Sequence, residues 1–366
     1  MSIDEITAAQ SARPRSEAAT VAVAGRDVTV NVRVRDEGFT VLQEGISPIA
    51  DIVFIHGLQG HPRETWVYSA ATDKTSQEDV NKKPALFRNI FRRAPKVKSI
   101  KGSSPVQSAA DIFWPQDLLA PDFPNVRILT YGYDSHVSRF FSGPANQNNI
   151  NQHGRGLLHA LEAIRRENAR LPLIFIVHNL GGIILKEALR RSKGAREEDS
   201  DLLDVYRSTY AIAFLGTPHR GSNAAEWGLM ARNVAVAVGF DANDKILRDL
   251  RVDSGTLETL REEFNRMLQD KAFSVYTFQE ARGFKGFRGL SGKIVDDASS
   301  GLDSGGERKD FINANHVEMT RFNGKMDDGY VKVAAVLSRY LNGIVTQNKK
   351  VARADVGRQH GLEIGM

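Results

Sequence analysis

Apolar residues along this chain gather into short unbroken runs, and the stretches between those runs carry helical spacing. Asp51 to Ile55, Asn125 to Tyr131, the run opening at Leu173, Thr209 to Leu215 and Phe273 to Phe278 each have the length and the continuous apolar character of a strand buried on both faces. Ile150 to Ala169 places Leu157, Leu158, Leu161 and Ile164 on one face of a predicted helix. Thr256 to Gln269 and a closing segment, Gly329 to Leu341, are predicted helices as well. Upstream, Thr20 to Ala24 and Asp27 to Val34, joined at Gly25, and Phe39 to Gln43 predict an antiparallel edge. Lys293 to Val295 is the candidate for a last short strand. Strands alternating with helices predict an α/β fold: an open, doubly wound, mostly parallel sheet with an antiparallel N-terminal edge.

Two stretches break the rhythm. Residues 69–110 form a cap-like insertion in which Lys82, Lys83, Arg88, Arg92, Arg93, Lys96, Lys98 and Lys101 follow one another with no acidic residue between them. Residues 281–310, rich in Gly, Ser and Asp, predict a long loop around the last strand. The expected organisation is a polar tail over 1–18, one domain over 19–345 and a polar tail over 346–366 that frays. A formal net charge of +5 selects anionic partners only where it clusters. With no cysteine the chain has no disulfide framework, thiol nucleophile or thiolate metal site, which suits a cytoplasmic setting. The first twenty residues lack the apolar stretch of a secretory signal, and no run is long enough to predict a transmembrane helix.

The chemistry concentrates at residues 173–189. A buried strand, a sharp glycine turn and an amphipathic helix follow in immediate succession there, with Asn179 at the turn. This is a nucleophile elbow, a device that holds one reactive side chain at the tip of a strained strand-to-helix turn beside backbone N–H donors. Asparagine has no ionisable proton to give a histidine and forms no alkoxide, so covalent acyl transfer by this residue is excluded.

Five ordered segments carry a family resemblance. Phe54-Ile55-His56-Gly57-Leu58, Phe113 to Leu119 (FWPQDLL), Leu129 to Tyr133 (LTYGY), the elbow His178 to Gly182 (HNLGG) and Phe214 to Ser222 (FLGTPHRGS) resemble the fungal lipase-like α/β-hydrolase family, similar to serine active site-containing proteins and inositol deacylase-type lipases. The resemblance covers roughly residues 50 to 342. It implies an α/β-hydrolase fold with a serine-type triad in the order nucleophile, acid, base. Asn179 then fills the nucleophile slot. His316, after the final predicted strand, is the base, and Glu280 at the end of the Phe273 strand is the acid, with Asp296 as its rival. The backbone N–H groups of Leu58 and Leu180 would form the oxyanion hole. His56, Gly57 and His219 are expected around the pocket, His56 and His178 as structural residues beside their glycine turns. Ser222 is an exposed loop serine with no turn signature or adjacent base.

Three histories account for Asn179: natural loss in a pseudoenzyme, substitution that disarmed a serine enzyme, or replacement of an aspartate nucleophile. The flanking Leu180-Gly181-Gly182 and the Gly216 to Gly221 segment look lipase-like and argue for serine, while bulky Leu180 hinders spontaneous deamidation. The expected partner is an acyl ester or lipid that this chain does not turn over. The alternative is a lipid-binding or signalling pseudohydrolase module of a fungal immune-type receptor system. Leu86 with Ile90 and Phe87 with Phe91, beside the basic side chains of residues 84–93, suit a helix capping the cleft with its charges in water, ahead of an anionic membrane surface. The histidines lack metal-ligand spacing, no phosphate or dinucleotide loop calls for a cofactor, and aromatics are too sparse among the cations to suggest nucleic acid.

Overall fold

The computed structural model describes residues 32–70, 110–136, 146–220, 224–238, 254–287, 290–302 and 305–363. The predicted strand Thr20 to Ala24, most of Asp27 to Val34, the basic stretch with residues 84–93, and Ser222 lie outside the described residues. Everything that follows concerns the compact unit that begins at Val34.

Seven strands build one sheet. In chain order they are β1 (Gly38–Gln43), β2 (Asp51–Ile55), β5 (Arg127–Gly132), β6 (Leu173–His178), β7 (Thr209–Leu215), β8 (Ser274–Glu280) and β11 (Glu307–Ile312). The short strands β3 (Val67–Tyr68) and β4 (Ile112–Phe113) pair with each other, as do β9 (Phe284–Phe287) and β10 (Leu290–Gly292). Across the sheet the order is β1-β5-β2-β6-β7-β8-β11, with β1 antiparallel to β5 and every other pair parallel. The helices are α1 (Asn146–Arg165), α2 (Leu180–Lys193), α3 (Ser200–Ser208), α4 (Ala224–Ala237), α5 (Ser254–Gln269) and α6 (Asp328–Glu363). This strand order, with the chain reversing direction across the sheet around β2, is the α/β-hydrolase fold.

The central strands are apolar throughout because both faces are covered. Val53 and Ile55 of β2 and Leu173, Phe175 and Val177 of β6 point to one side, where they meet Leu157, Leu158 and Leu161 of α1 and Ile183 and Ile184 of α2. Each fully buried leucine there contributes about 1.5–3 kcal/mol relative to an exposed one. On the other face, Phe54 packs edge-on against Trp66 and Trp114, with ring centroids 5.1 Å apart in both pairs. Trp114 belongs to the FWPQDLL motif, and its indole N–H donates to the Thr320 carbonyl at 2.8 Å. Thr320 follows the candidate base by four residues, so that motif anchors the loop carrying His316.

A charged staple closes the N-terminal ends of the strands. Asp51, fully buried, accepts from Nε and Nη2 of Arg127 at 2.8 and 2.9 Å and takes a further bond from Arg165. Arg165 also donates to the carbonyls of Ala169 and Leu171, which fastens the end of α1 to the start of β6.

Two boundaries differ from expectation. Lys293 to Val295 is not a strand, and the last strand is Glu307–Ile312, which begins inside the stretch expected to be loop and runs past its end. Its Glu-Arg-Lys-Asp run is polar because this strand lies at the sheet edge, where propensity and alternation carry little signal. The closing helix runs past Leu341 to Glu363, where a tail was expected.

Candidate active site

The elbow forms because the parallel sheet delivers β6 directly into α2. Asn179 continues the ladder by donating its N–H to the Leu215 carbonyl at 3.0 Å, and its own carbonyl accepts from Gly182 at 3.1 Å. Between those bonds its backbone takes φ 50° and ψ −123°. A non-glycine residue held there costs on the order of 1–3 kcal/mol and persists only where its surroundings dictate it. Gly57 supplies part of that constraint: a Cβ on it would lie 2.6 Å from the Asn179 Cβ, so only glycine lets the β2 loop approach the turn.

The Asn179 side chain is fully buried and satisfied at both ends. Its Oδ1 accepts the Leu180 N–H at 2.5 Å, and its Nδ2 donates to Nε2 of His316. Because Nε2 accepts, the proton of the neutral imidazole sits on Nδ1, the nitrogen that faces Glu280. That Nδ1 lies 3.5 Å from Glu280 Oε1, a charge contact longer than a good hydrogen bond. The other engagement of Oε1 is with the Val295 N–H at 2.6 Å, which fixes the carboxylate. The chain therefore brings Asn179, His316 and Glu280 into one line from three separate strand ends.

Asp296, the rival acid, is elsewhere. It is exposed and its carboxylate accepts from the Ser299 N–H at 2.7 Å and hydroxyl at 2.9 Å, capping its own turn. The two expected oxyanion donors differ in state. Leu180 N–H is occupied by the Asn179 amide oxygen, whereas Leu58 N–H has no hydrogen-bond partner among the described residues.

The neighbouring histidines divide between support and lining. His56 is fully buried, stacks on Tyr133 at 4.4 Å and shares Nδ1 with the Gly57 carbonyl at 3.0 Å; burial pushes its pKa down to about 3. His178 donates from Nε2 to the His316 carbonyl at 3.1 Å, and burial holds it neutral, well below the ordinary histidine range. His219, expected in the pocket wall, instead packs inside against Phe214 and accepts from Lys186 Nζ at 2.8 Å. It is drawn inward because Lys186, 2% exposed on α2, needs a partner; burial lowers that lysine's pKa to about 7.

Beside the triad-like line opens a cleft of about 580 Å³, mouth included, bordered by Leu58, Gln59, Thr65, His178, Val234 and His316 among others. Its lining mixes apolar walls with a few polar groups.

Sequence reasoning missed the parts that steady the base. Asn315 Oδ1 accepts the N–H groups of Val317 and Glu318, each at 3.0 Å, and so caps the turn that presents His316. An asparagine just before a short polar helical turn is the available signal. Gly216, at φ 54°, is the second such part: a Cβ there would lie 3.0 Å from the His316 ring. Among the described residues no cluster of His, Asp or Glu is arranged to hold a metal, and no helix is long and apolar enough to cross a membrane.

No family model matches the chain. By sequence it is similar to Protein SERAC1 of Homo sapiens, 28% identical over 232 residues, which is 63% of this chain and 30% of that protein. Protein SERAC1 of Danio rerio is 28% identical over 235 residues, with the same shares. The chain thus matches under a third of the length of these curated relatives, which are animal proteins; the fungal and inositol-deacylase side of the resemblance rests on the motifs alone. Among solved structures, Bacillus licheniformis lipase BlEst2 in mature form is similar with a TM-score of 0.46 and 13% identity, over 82% of this chain and 97% of that one. The NocB thioesterase domain from the nocardicin cluster gives a TM-score of 0.38 and 13% identity, over 82% of this chain and 99% of that one.

Proposed function

We propose that this chain is a serine-hydrolase scaffold for carboxylic ester or lipid hydrolysis whose nucleophile position is filled by Asn179, and that it does not turn over acyl esters. The observation that carries this reading is the Asn179 amide at φ 50°, bonded to a histidine that has a carboxylate 3.5 Å behind it. A serine at that point would meet an imidazole in the acceptor tautomer, with a backbone donor on the following residue to take the developing oxyanion. Asparagine keeps the architecture and removes the reagent.

The direct experiment compares the native chain with Asn179→Ser. The native chain is expected to give background hydrolysis of short acyl esters and no labelling by a fluorophosphonate. The serine form is expected to label and to gain on the order of a millionfold in turnover, the usual worth of the nucleophile. A folded Asn179→Ser protein that stays unlabelled would sink the reading. Occupancy without turnover, as in an acyl-binding or signalling module, is the second function this cleft supports, since Leu58, Val234 and Val317 give it apolar walls that do not depend on residue 179. Saturable binding of a fatty acid by the native chain, lost on Val234→Asp, is its test.

A further inference from the structure

We propose that the cleft binds a single-chain acyl amphiphile with an oxyanion head, a carboxylate or a phosphate, and that Arg321 is the residue that reads the head. This names a ligand class for the site and rests on the readings above in using the same cleft. It needs no nucleophile.

Arg321 borders the cleft together with His178 and His316, and among the described residues it is the only lysine or arginine that does so. Its Nε is buried with no hydrogen-bond partner, and its guanidinium makes no ion pair among the described residues. Burial lowers its pKa below the ordinary arginine range, against the opposing charges of Glu318 and Glu64. Neither carboxylate completes the arginine: Glu64 is engaged with Arg63 at 3.1 Å, and Glu318 forms no ion pair with Arg321. A buried donor left unmade is costly, so such an exception calls for a partner that arrives from outside the chain. The planar fork of a guanidinium matches the paired oxygens of a carboxylate or phosphate.

The backbone around Arg321 is fixed to the loop that carries His316. The Thr320 hydroxyl donates to the Thr65 carbonyl at 2.8 Å, the Trp114 indole donates to the Thr320 carbonyl at 2.8 Å, and the Arg321 N–H donates to the Glu318 carbonyl at 2.9 Å. The cation therefore stands in a set place relative to the base.

A second unmet polar group borders the same space. Gln59, 5% exposed, has its Oε1 buried without a partner. Its backbone is held at φ 53°, uncommon for a residue other than glycine, while its N–H donates to the Ser135 carbonyl at 2.9 Å. An amide there offers an acceptor to a hydroxyl of the head or, turned over, a donor to the anion. The remaining walls include Leu58, Val234, Val238 and Val317, which suit an acyl chain. Two polar groups without partners beside apolar walls describe a ligand with one charged end.

The test is calorimetric titration of the native chain with octanoate, octyl phosphate and octanol, which share a chain length and differ in the head. Both anions are expected to bind at least tenfold more tightly than octanol. In Arg321→Met, checked for a native melt, anion affinity is expected to fall by about tenfold to a hundredfold, the worth of a hydrogen bond to a charged group, with octanol unchanged. Arg321→Lys keeps the charge without the fork and is expected to retain part of the preference, which guards against a misfolded methionine variant. Tighter binding of octanoate than of octyl phosphate assigns the head as a carboxylate, and the reverse assigns it as a phosphate. No saturable binding of either anion, octanol bound as tightly as the anions, or a preference that survives in folded Arg321→Met would overturn the proposal. Fluorophosphonate labelling of Asn179→Ser is read separately: labelling without any anion preference sinks this inference and leaves the hydrolase reading standing, and anion preference without labelling does the reverse.

Discussion

At position 179 one side chain satisfies two groups that a serine would leave poised. The Asn179 amide ties up both His316 Nε2 and the Leu180 donor, so the base is quenched by a hydrogen bond rather than displaced. Serine is shorter and reaches only the imidazole, which frees Leu180 N–H for the substrate oxyanion. The acid can be tested in that restored background. Glu280 is 1% exposed and fixed by Val295, while Asp296 is spent on Ser299. In Asn179→Ser, adding Glu280→Gln is expected to lower kcat by about 10⁴, as loss of the orienting carboxylate does in such triads. Adding Asp296→Asn should change kcat less than threefold. An equal or larger loss from the Asp296 change would reverse the assignment.

Among the elements, the strands β6, β8 and β11 lead at their C-terminal ends into Asn179, Glu280 and His316, and at the opposite edge Asp51, Arg127 and Arg165 tie β2, β5 and the approach to β6 together. Asp51→Ala would leave two guanidinium groups, 5% and 2% exposed, without their carboxylate. Breaking a buried pair from one side costs about 3–5 kcal/mol, and urea unfolding should show a loss of that size with an unchanged slope. The same elements explain what the chain disclosed in advance. Asp51 to Ile55 and Thr209 to Leu215 were legible to the residue, because a strand covered on both faces is apolar at every position and is bounded by glycine or charge. The elbow was legible because its glycines answer a steric demand that few other turns make. β11 was not, since Arg308 and Lys309 face solvent at the sheet edge and only pairing with β8 makes them a strand. His219 was not either: a histidine in a Gly-Thr-Pro loop looks like a wall of the pocket until the fold puts Lys186, from a helix 33 residues earlier, 2.8 Å away. Local pattern discloses elements whose surroundings are uniform, and it fails where a long-range partner decides the role.

For the molecule as a whole, buried titratable groups set how stability follows pH, and they act in one direction over a wide range. Lys186 has its pKa lowered from 10.5 to about 7, chiefly by burial. Between those values the unfolded chain holds a proton that the folded chain has released, so stability rises with pH across that window, and below it the penalty is fully present. His56, His178 and His219 are all held below 6.5, again chiefly by burial. As pH falls under 6.5 the unfolded chain takes up protons that the folded chain refuses, and stability declines further, for His56 down to about 3. Tyr131, Tyr133 and Tyr340 oppose this on the alkaline side: burial raises each above 10.0, so the unfolded chain ionises first and stability falls as pH passes that value. Together these shifts make stability rise with pH from the acid side through the Lys186 window above about 7 and fall once pH passes 10.0. Urea midpoints measured from pH 5 to pH 11 should trace that rise and fall. Lys186→Met, which fills the same space against Phe214 and Phe264 without a charge, is expected to flatten the segment between about 7 and 9, raise the midpoint at neutral pH and leave the acid limb in place. If the variant keeps the native slope through that segment, Lys186 is protonated in the folded protein and the rise above about 7 has another source.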